Sequence, residues 1–247
     1  MTYRSEVHPD FSDFAPLLPD IATHFDTVHE SIHKARNELR IVPMLGRDVV
    51  VKAFKIPHLL NRIVYGRFRA SKAAKSFHNA RELEKRGIAT PQPVGYIEFY
   101  ERGLFSASYY LSLHLPYDFT IREAFHHAVD DYEAVLDAFA DFTRTLHDRG
   151  VWHVDYSPGN ILVGREDGGY RFSLVDINRM QFKHVSPEEG LKNFAKFWAR
   201  DEDLERLARR YAAASGFDPE RAVAIARQSA AALQAKTRFK QRLKGKR

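Results

Sequence analysis

Cysteine is absent from this chain of 247 residues, which excludes disulfides and thiolate metal centres. No apolar run approaches the length of a bilayer-crossing helix, about 20 residues. The amino-terminal residues lack the basic-then-apolar order of a secretory signal. Together these absences lead to the expectation of a cytoplasmic protein. Glycine is scarce where a phosphate-cradling loop would need it, because Gly46 is the only glycine between Asn37 and Lys55. Acid is missing from two stretches. Residues 49–81 hold eight Lys or Arg and no Asp or Glu, and nothing acidic follows Arg221. The last twelve residues, Lys236–Arg247, carry seven basic ones. Such clusters suit anionic partners: phosphates, acidic lipid surfaces or nucleic acid. No nucleic-acid motif accompanies them, so nucleic acid is not expected.

The most informative stretch is Val151–Asn178. His153, Asp155 and Asn160 have the spacing H-x-D-x-x-x-x-N, the catalytic-loop pattern of kinases. Alone that spacing is weak, since Asp and Asn are ordinary turn residues. Here it follows a helix ending near Gly150 and precedes two short strands, Ile161–Val163 and Tyr170–Val175. The Gly-rich linker 164–169 joins them as a hairpin. Folding the hairpin brings Asn160 towards Asp176, so that an amide oxygen and a carboxylate can hold Mg²⁺ on a nucleotide's phosphates. Asp155 can take the proton of an attacking hydroxyl. His153 reads as a brace for the loop.

The remaining chain supplies a setting. Residues 1–36 read as an irregular or partly helical lead-in, 37–115 as a nucleotide-binding sheet and helix, and 116–247 as a mainly helical part. His24, His29 and His33 lack any accompanying carboxylate–histidine motif and are set aside as metal ligands. A hairpin over 37–55 places Lys52 on one strand face with Val50 and Phe54. A lysine there needs a partner, and in kinases it binds the α- and β-phosphates and pairs with a helix glutamate. The following helix, capped at Ser71 and stopped at Gly87, offers two candidates, Glu82 and Glu84. Glu84 is expected inward, in line with Ala73, Phe77 and Ala80. Before that helix, residues 56–75 mix aromatic, aliphatic and basic side chains, as an amphipathic or anionic surface would require. Strands at 94–100 and 108–115 lead to a hinge at Pro116–Asp118, with His114 and Leu115 beside an adenine. Helices are expected at 120–128, 131–148, 187–215 and 219–243.

The segment from His153 to Val163, with Phe172–Phe182, Lys52 and Gly87–Val94, resembles the bacterial lipopolysaccharide core kinases of the Kdo/heptose type. The resemblance covers roughly residues 37 to 200. It implies an α+β, two-lobed protein-kinase-like fold, ATP with Mg²⁺, and phosphorylation of a lipopolysaccharide sugar hydroxyl at the inner membrane. It makes Asp155 the base, Asn160 and Asp176 the metal ligands, and Lys52 the phosphate-binding lysine. Asp176-Ile177-Asn178 replaces the Asp-Phe-Gly of protein kinases and no Ala-Pro-Glu follows, which argues against a protein substrate. Two alternatives are a small-molecule phosphotransferase of the aminoglycoside or choline type and a non-catalytic nucleotide-binding module.

Overall fold

The computed structural model describes residues 2–34, 37–55 and 70–244. The chain forms two compact units, Met1–Pro116 with Asp176–Asn178, and Tyr117–Val175 with Arg179–Arg247. The expected surface-binding insertion falls largely at 56–69, outside the described residues.

The first unit holds strands β1 (Thr2–Val7), β2 (His33–Lys34), β3 (Asn37–Met44), β4 (Arg47–Phe54), β5 (Pro93–Glu101) and β6 (Leu104–Leu113). They form one antiparallel sheet in the order β1-β5-β6-β4-β3-β2. Leu45 and Gly46, both at positive φ (51° and 71°), make the tight turn between β3 and β4, the conformation that matches strand twist. Period-two alternation then assigns faces. Val49 and Val51 enter a core with Ile97 and Leu111, covered by Phe14, Leu18, Ile21 and Phe25. Those four come from a 3₁₀ segment (Pro9–Asp20) and helix α1 (Ile21–Thr27). On the opposite face Phe54 and Tyr110 pack against Ala73 and Phe77 of helix α2 (Lys72–Lys85). Ser71 caps α2 by accepting from the Ala74 amide.

The irregular lead-in expected over 1–36 thus contains two strands, β1 and β2, at the two edges of the sheet, and one layer of its core. Thr2–Val7 escapes pattern reading because it is largely exposed and short of apolar residues. Its place comes from backbone pairing with β5.

The second unit contains β7 (Phe119–Thr120), α3 (Ile121–Phe125), α4 (Tyr132–Asp148), β8 (Val151–His153), β9 (Ile161–Glu166), β10 (Gly169–Leu174), β11 (Met180–Phe182), α5 (Pro187–Leu191), α6 (Asp201–Ser215) and α7 (Pro219–Lys244). Two small sheets, β10-β9-β7 and β11-β8, lie among these helices. Phe139 of α4 is fully buried and meets Phe125, Tyr156, Phe172 and Phe197 at ring-centroid distances of 5.3–6.3 Å. Burying one such side chain contributes about 1.5–3 kcal/mol. The single helix expected over 187–215 is interrupted. It passes into a 3₁₀ turn (Lys192–Phe197) and breaks at Trp198, whose φ of 55° is left-handed. The helix expected over 120–128 is only α3, closed at its start by a Thr120–Glu123 capping box and followed by His127 at φ 55°.

In the last turn of α4, His147 is buried, donating from Nδ1 to the Tyr211 hydroxyl (2.9 Å) and accepting at Nε2 from Asn193 (3.2 Å). Burial, helped by the Arg144 charge, lowers its pKa to about 3. Gly190 of α5 fits over this pair. A Cβ there would collide with the Tyr211 hydroxyl and sit 2.6 Å from His147 Nδ1. Gly190→Ala should therefore lower stability by about 1–3 kcal/mol despite its better helix propensity. Gly169→Ala, with nothing within 4 Å, should be close to neutral. Equal denaturation midpoints for the two variants would contradict this packing account.

Candidate active site

The loop leaving β8 is held at both ends. His153 is 1% exposed. Its Nε2 donates to the Val175 carbonyl (3.0 Å), and its Nδ1 accepts from the Asp155 amide (3.1 Å). These two bonds require the neutral ring with its proton on Nε2. Tyr156, fully buried, shares a hydrogen bond of 2.8 Å with the Thr143 hydroxyl, and burial pushes its phenol pKa far up. A 3₁₀ turn, Pro158–Asn160, ends the loop. There Asn160 Nδ2 donates to the Asp155 carbonyl (2.8 Å), and the Asn160 carbonyl accepts from the Val175 amide (3.0 Å). The Asp155 carboxylate, 31% exposed, receives Arg179 Nη1 at 3.1 and 3.2 Å. Lys196 Nζ lies 3.9 Å from it and donates to the Val154 carbonyl.

In the first unit, Lys52 is 12% exposed and Asp176 37%. Lys52 Nζ donates to Asp176 Oδ1 at 2.7 Å, and Asn178 Nδ2 donates to the same oxygen at 2.7 Å. Asn79 of α2 donates to the Ile177 carbonyl (2.7 Å). Asp176 has φ 53°, a left-handed conformation costing roughly 1–2 kcal/mol. Asp and Asn enter it more readily than other non-glycine residues. Tyr110, the cross-strand neighbour of Lys52, stays protonated because burial, then the Glu84 charge, drives its pKa up. The anionic partner of Lys52 is therefore a carboxylate, Asp176.

Neither expected glutamate pairs with Lys52. Glu82 bonds Arg86 (2.8 Å) and lies 3.7 Å from Lys85. Glu84, expected inward, points out of α2 and lies 3.6 Å from His8 and 3.5 Å from Arg81. Leu83 takes the buried position in that last turn, and Asp176 has the ammonium. His114 donates its amide to the Asp48 carbonyl (2.8 Å). It and Leu115 are half-buried in the extended chain after β6.

Sequence reasoning missed Arg179, Lys196 and Asn178. For the first and last, the signal was Asp176-Ile177-Asn178-Arg179, two polar side chains within three residues of a candidate ligand. Lys196 sits in a 3₁₀ turn and carried no signal.

The fold is of the protein-kinase-like class. A sequence model of the lipopolysaccharide kinase (Kdo/WaaP) family matches residues 55–235, and the chain belongs to that family. Among solved structures, WaaP in complex with acyl carrier protein is similar, with TM-score 0.63 and 17% identity over 96% of this chain and 98% of that one. A bifunctional kinase-methyltransferase, WbdD, matches at TM-score 0.44 and 16% identity over 92% of this chain and 46% of that one. No curated protein matches the sequence. Membership makes the chain a phosphotransferase of the lipopolysaccharide-kinase type, acting on a sugar hydroxyl, and sets aside the non-catalytic alternative.

His153→Ala strands the part-buried Val175 carbonyl and frees the Asp155 amide. Stability should fall by about 1–3 kcal/mol, and phosphate transfer should fall tenfold or more in protein that is still folded. Denaturation and transfer assays on one preparation check this; full transfer activity would show that the brace is dispensable.

Proposed function

We propose that the protein transfers the γ-phosphate of ATP, with Mg²⁺, to a sugar hydroxyl of the lipopolysaccharide core, with Asp155 as general base. The observation that carries this is the construction of the loop. Asp155 is positioned through its own backbone by His153 and Asn160, which leaves its carboxylate part-exposed, with only the exposed Arg179 and the nearby Lys196 as neighbours among the described residues. A sugar hydroxyl is a poor nucleophile at neutral pH. A fixed carboxylate that accepts its proton also aligns its oxygen for attack.

The donor set suits Mg²⁺, which prefers carboxylate and amide oxygens. Asn160 commits its NH₂ to the Asp155 carbonyl, which leaves its amide oxygen as the ligand, and Asp176 supplies the carboxylate. Bound with ATP, the metal would neutralise charge on the phosphoryl group being transferred. Lys52 holds the α- and β-phosphates, and His114 and Leu115 adjoin the adenine. Asn178 and Asn79 keep the 176–178 segment in place for Asp176.

The substrate is a glycolipid, so the enzyme works at a membrane surface. No helix among the described residues is long and apolar enough to cross a membrane. The end of α7 instead presents exposed Lys236, Arg238, Lys240 and Arg242 around Phe239, which is 64% exposed. We place this helix end on the anionic face of the inner membrane, with each basic residue contributing about 1 kcal/mol.

Asp155→Asn keeps the shape of the side chain but removes its basicity. Transfer should drop by roughly a hundredfold or more, with ATP affinity little changed. A variant with wild-type transfer would falsify the assignment. Removing residues 236–247 should weaken binding to anionic vesicles, in a salt-sensitive way, more than it slows transfer to a delipidated core oligosaccharide. Salt-insensitive vesicle binding, unchanged by the truncation, would exclude the helix end as the membrane contact.

A further inference from the structure

Arginines of the second unit are commonly tied to carboxylates, as Arg144 is to Asp148, Arg206 to Asp137 and Arg210 to Asp141. Arg122 differs. It is exposed on α3, and no ion pair involves it among the described residues. Its guanidinium lies against the catalytic loop: a Cβ on Gly159 would sit 2.7 Å from Arg122 Nη2. One turn further on, Phe125 stacks on Phe197 at 5.0 Å, and Phe197 meets Tyr156 of the loop at 5.2 Å. This ring cluster packs α3, the Lys196 turn and the loop into one body. Arg122 therefore borders the loop at Gly159, while Arg179 and Lys196 border it at Asp155.

Three cations thus surround a loop whose one carboxylate is Asp155. Arg179 alone already contacts both of its oxygens, so the other two exceed what the base requires. Unpaired guanidinium groups accept planar oxyanions through paired N–H donors. We infer that Arg122, with Arg179 and Lys196, forms a rim that reads an acidic substituent of the acceptor sugar, a carboxylate or a phosphate, close to the hydroxyl being phosphorylated. This rests on Asp155 marking the acceptor site. The cations then raise the local concentration of acidic acceptors and reject neutral sugars of the same shape.

The test uses the full chain and core oligosaccharide in three forms: untreated, carboxyl-reduced, and dephosphorylated with hydrofluoric acid. Calorimetry without nucleotide gives the affinity for each form, and transfer kinetics with ATP are measured in parallel. The wild type should bind the untreated form roughly tenfold or more tighter than one of the treated forms, the fold-change expected from a charge-assisted hydrogen bond. The form that loses affinity identifies the acid as carboxylate or phosphate. Arg122→Gln should erase that preference, Arg122→Lys should keep part of it, and KM for ATP should not move. Equal or undetectable binding of all three forms by the wild type would overturn the inference. So would an Arg122→Gln variant that binds as the wild type does, or one whose defect is in KM for ATP, which would assign the cation to the nucleotide. Acid-selective binding without transfer would sink the role of Asp155 and leave the rim standing; transfer without acid preference would do the reverse.

Discussion

Two hydrogen bonds of one buried imidazole fix the candidate catalytic loop. His153 donates to the Val175 carbonyl and accepts from the Asp155 amide, so a single neutral ring ties the candidate base to the end of β10. The amide of Val175 in turn bonds the Asn160 carbonyl. Asp155, Asn160 and Val175 are therefore set by one small network, to which Asn160 adds its side-chain NH₂ while the Asp155 carboxylate stays outside it. Low-dielectric surroundings strengthen such bonds and make each costly to lose.

One peptide bond beyond Val175 the chain turns left-handed at Asp176. A strained backbone at a polar residue needs compensation, and three contacts in the first unit supply it: Lys52 and Asn178 on the Asp176 carboxylate, and Asn79 on the next carbonyl. The Lys52 ammonium, mostly buried on an otherwise apolar strand face, gains its counter-ion from the same arrangement. The lysine's carboxylate partner is Asp176, and Glu82 and Glu84 pair with His8 and the basic residues of α2 and its C-terminus.

Local chemistry made much of this legible in the sequence. The hairpin over 37–55, the Ser71 cap and the strand read at 170–175 are short-range patterns, and the spacing of His153, Asp155 and Asn160 gains its meaning from them. What stayed hidden depends on distant partners. Strand β1 is an exposed edge whose place comes only from pairing with β5. The break at Trp198 interrupts a segment whose composition suits a helix throughout. The Lys52–Asp176 pair joins residues 124 positions apart, and Arg122 gains meaning only when Phe125, Phe197 and Tyr156 bring α3 against the loop. Helical periodicity placed Glu84 inward because it reports a face; the buried position of the last turn is Leu83, one residue earlier.

We propose that this member of the lipopolysaccharide kinase family phosphorylates a core sugar through Asp155. Mass spectrometry of dephosphorylated lipopolysaccharide, incubated with ATP and Mg²⁺ and with either the wild-type protein or Asp155→Asn, tests it most directly. The account predicts one added phosphate on a core sugar with the wild type and almost none with the folded variant. Equal phosphate incorporation by both proteins, or none by a folded and nucleotide-binding wild type, would contradict it.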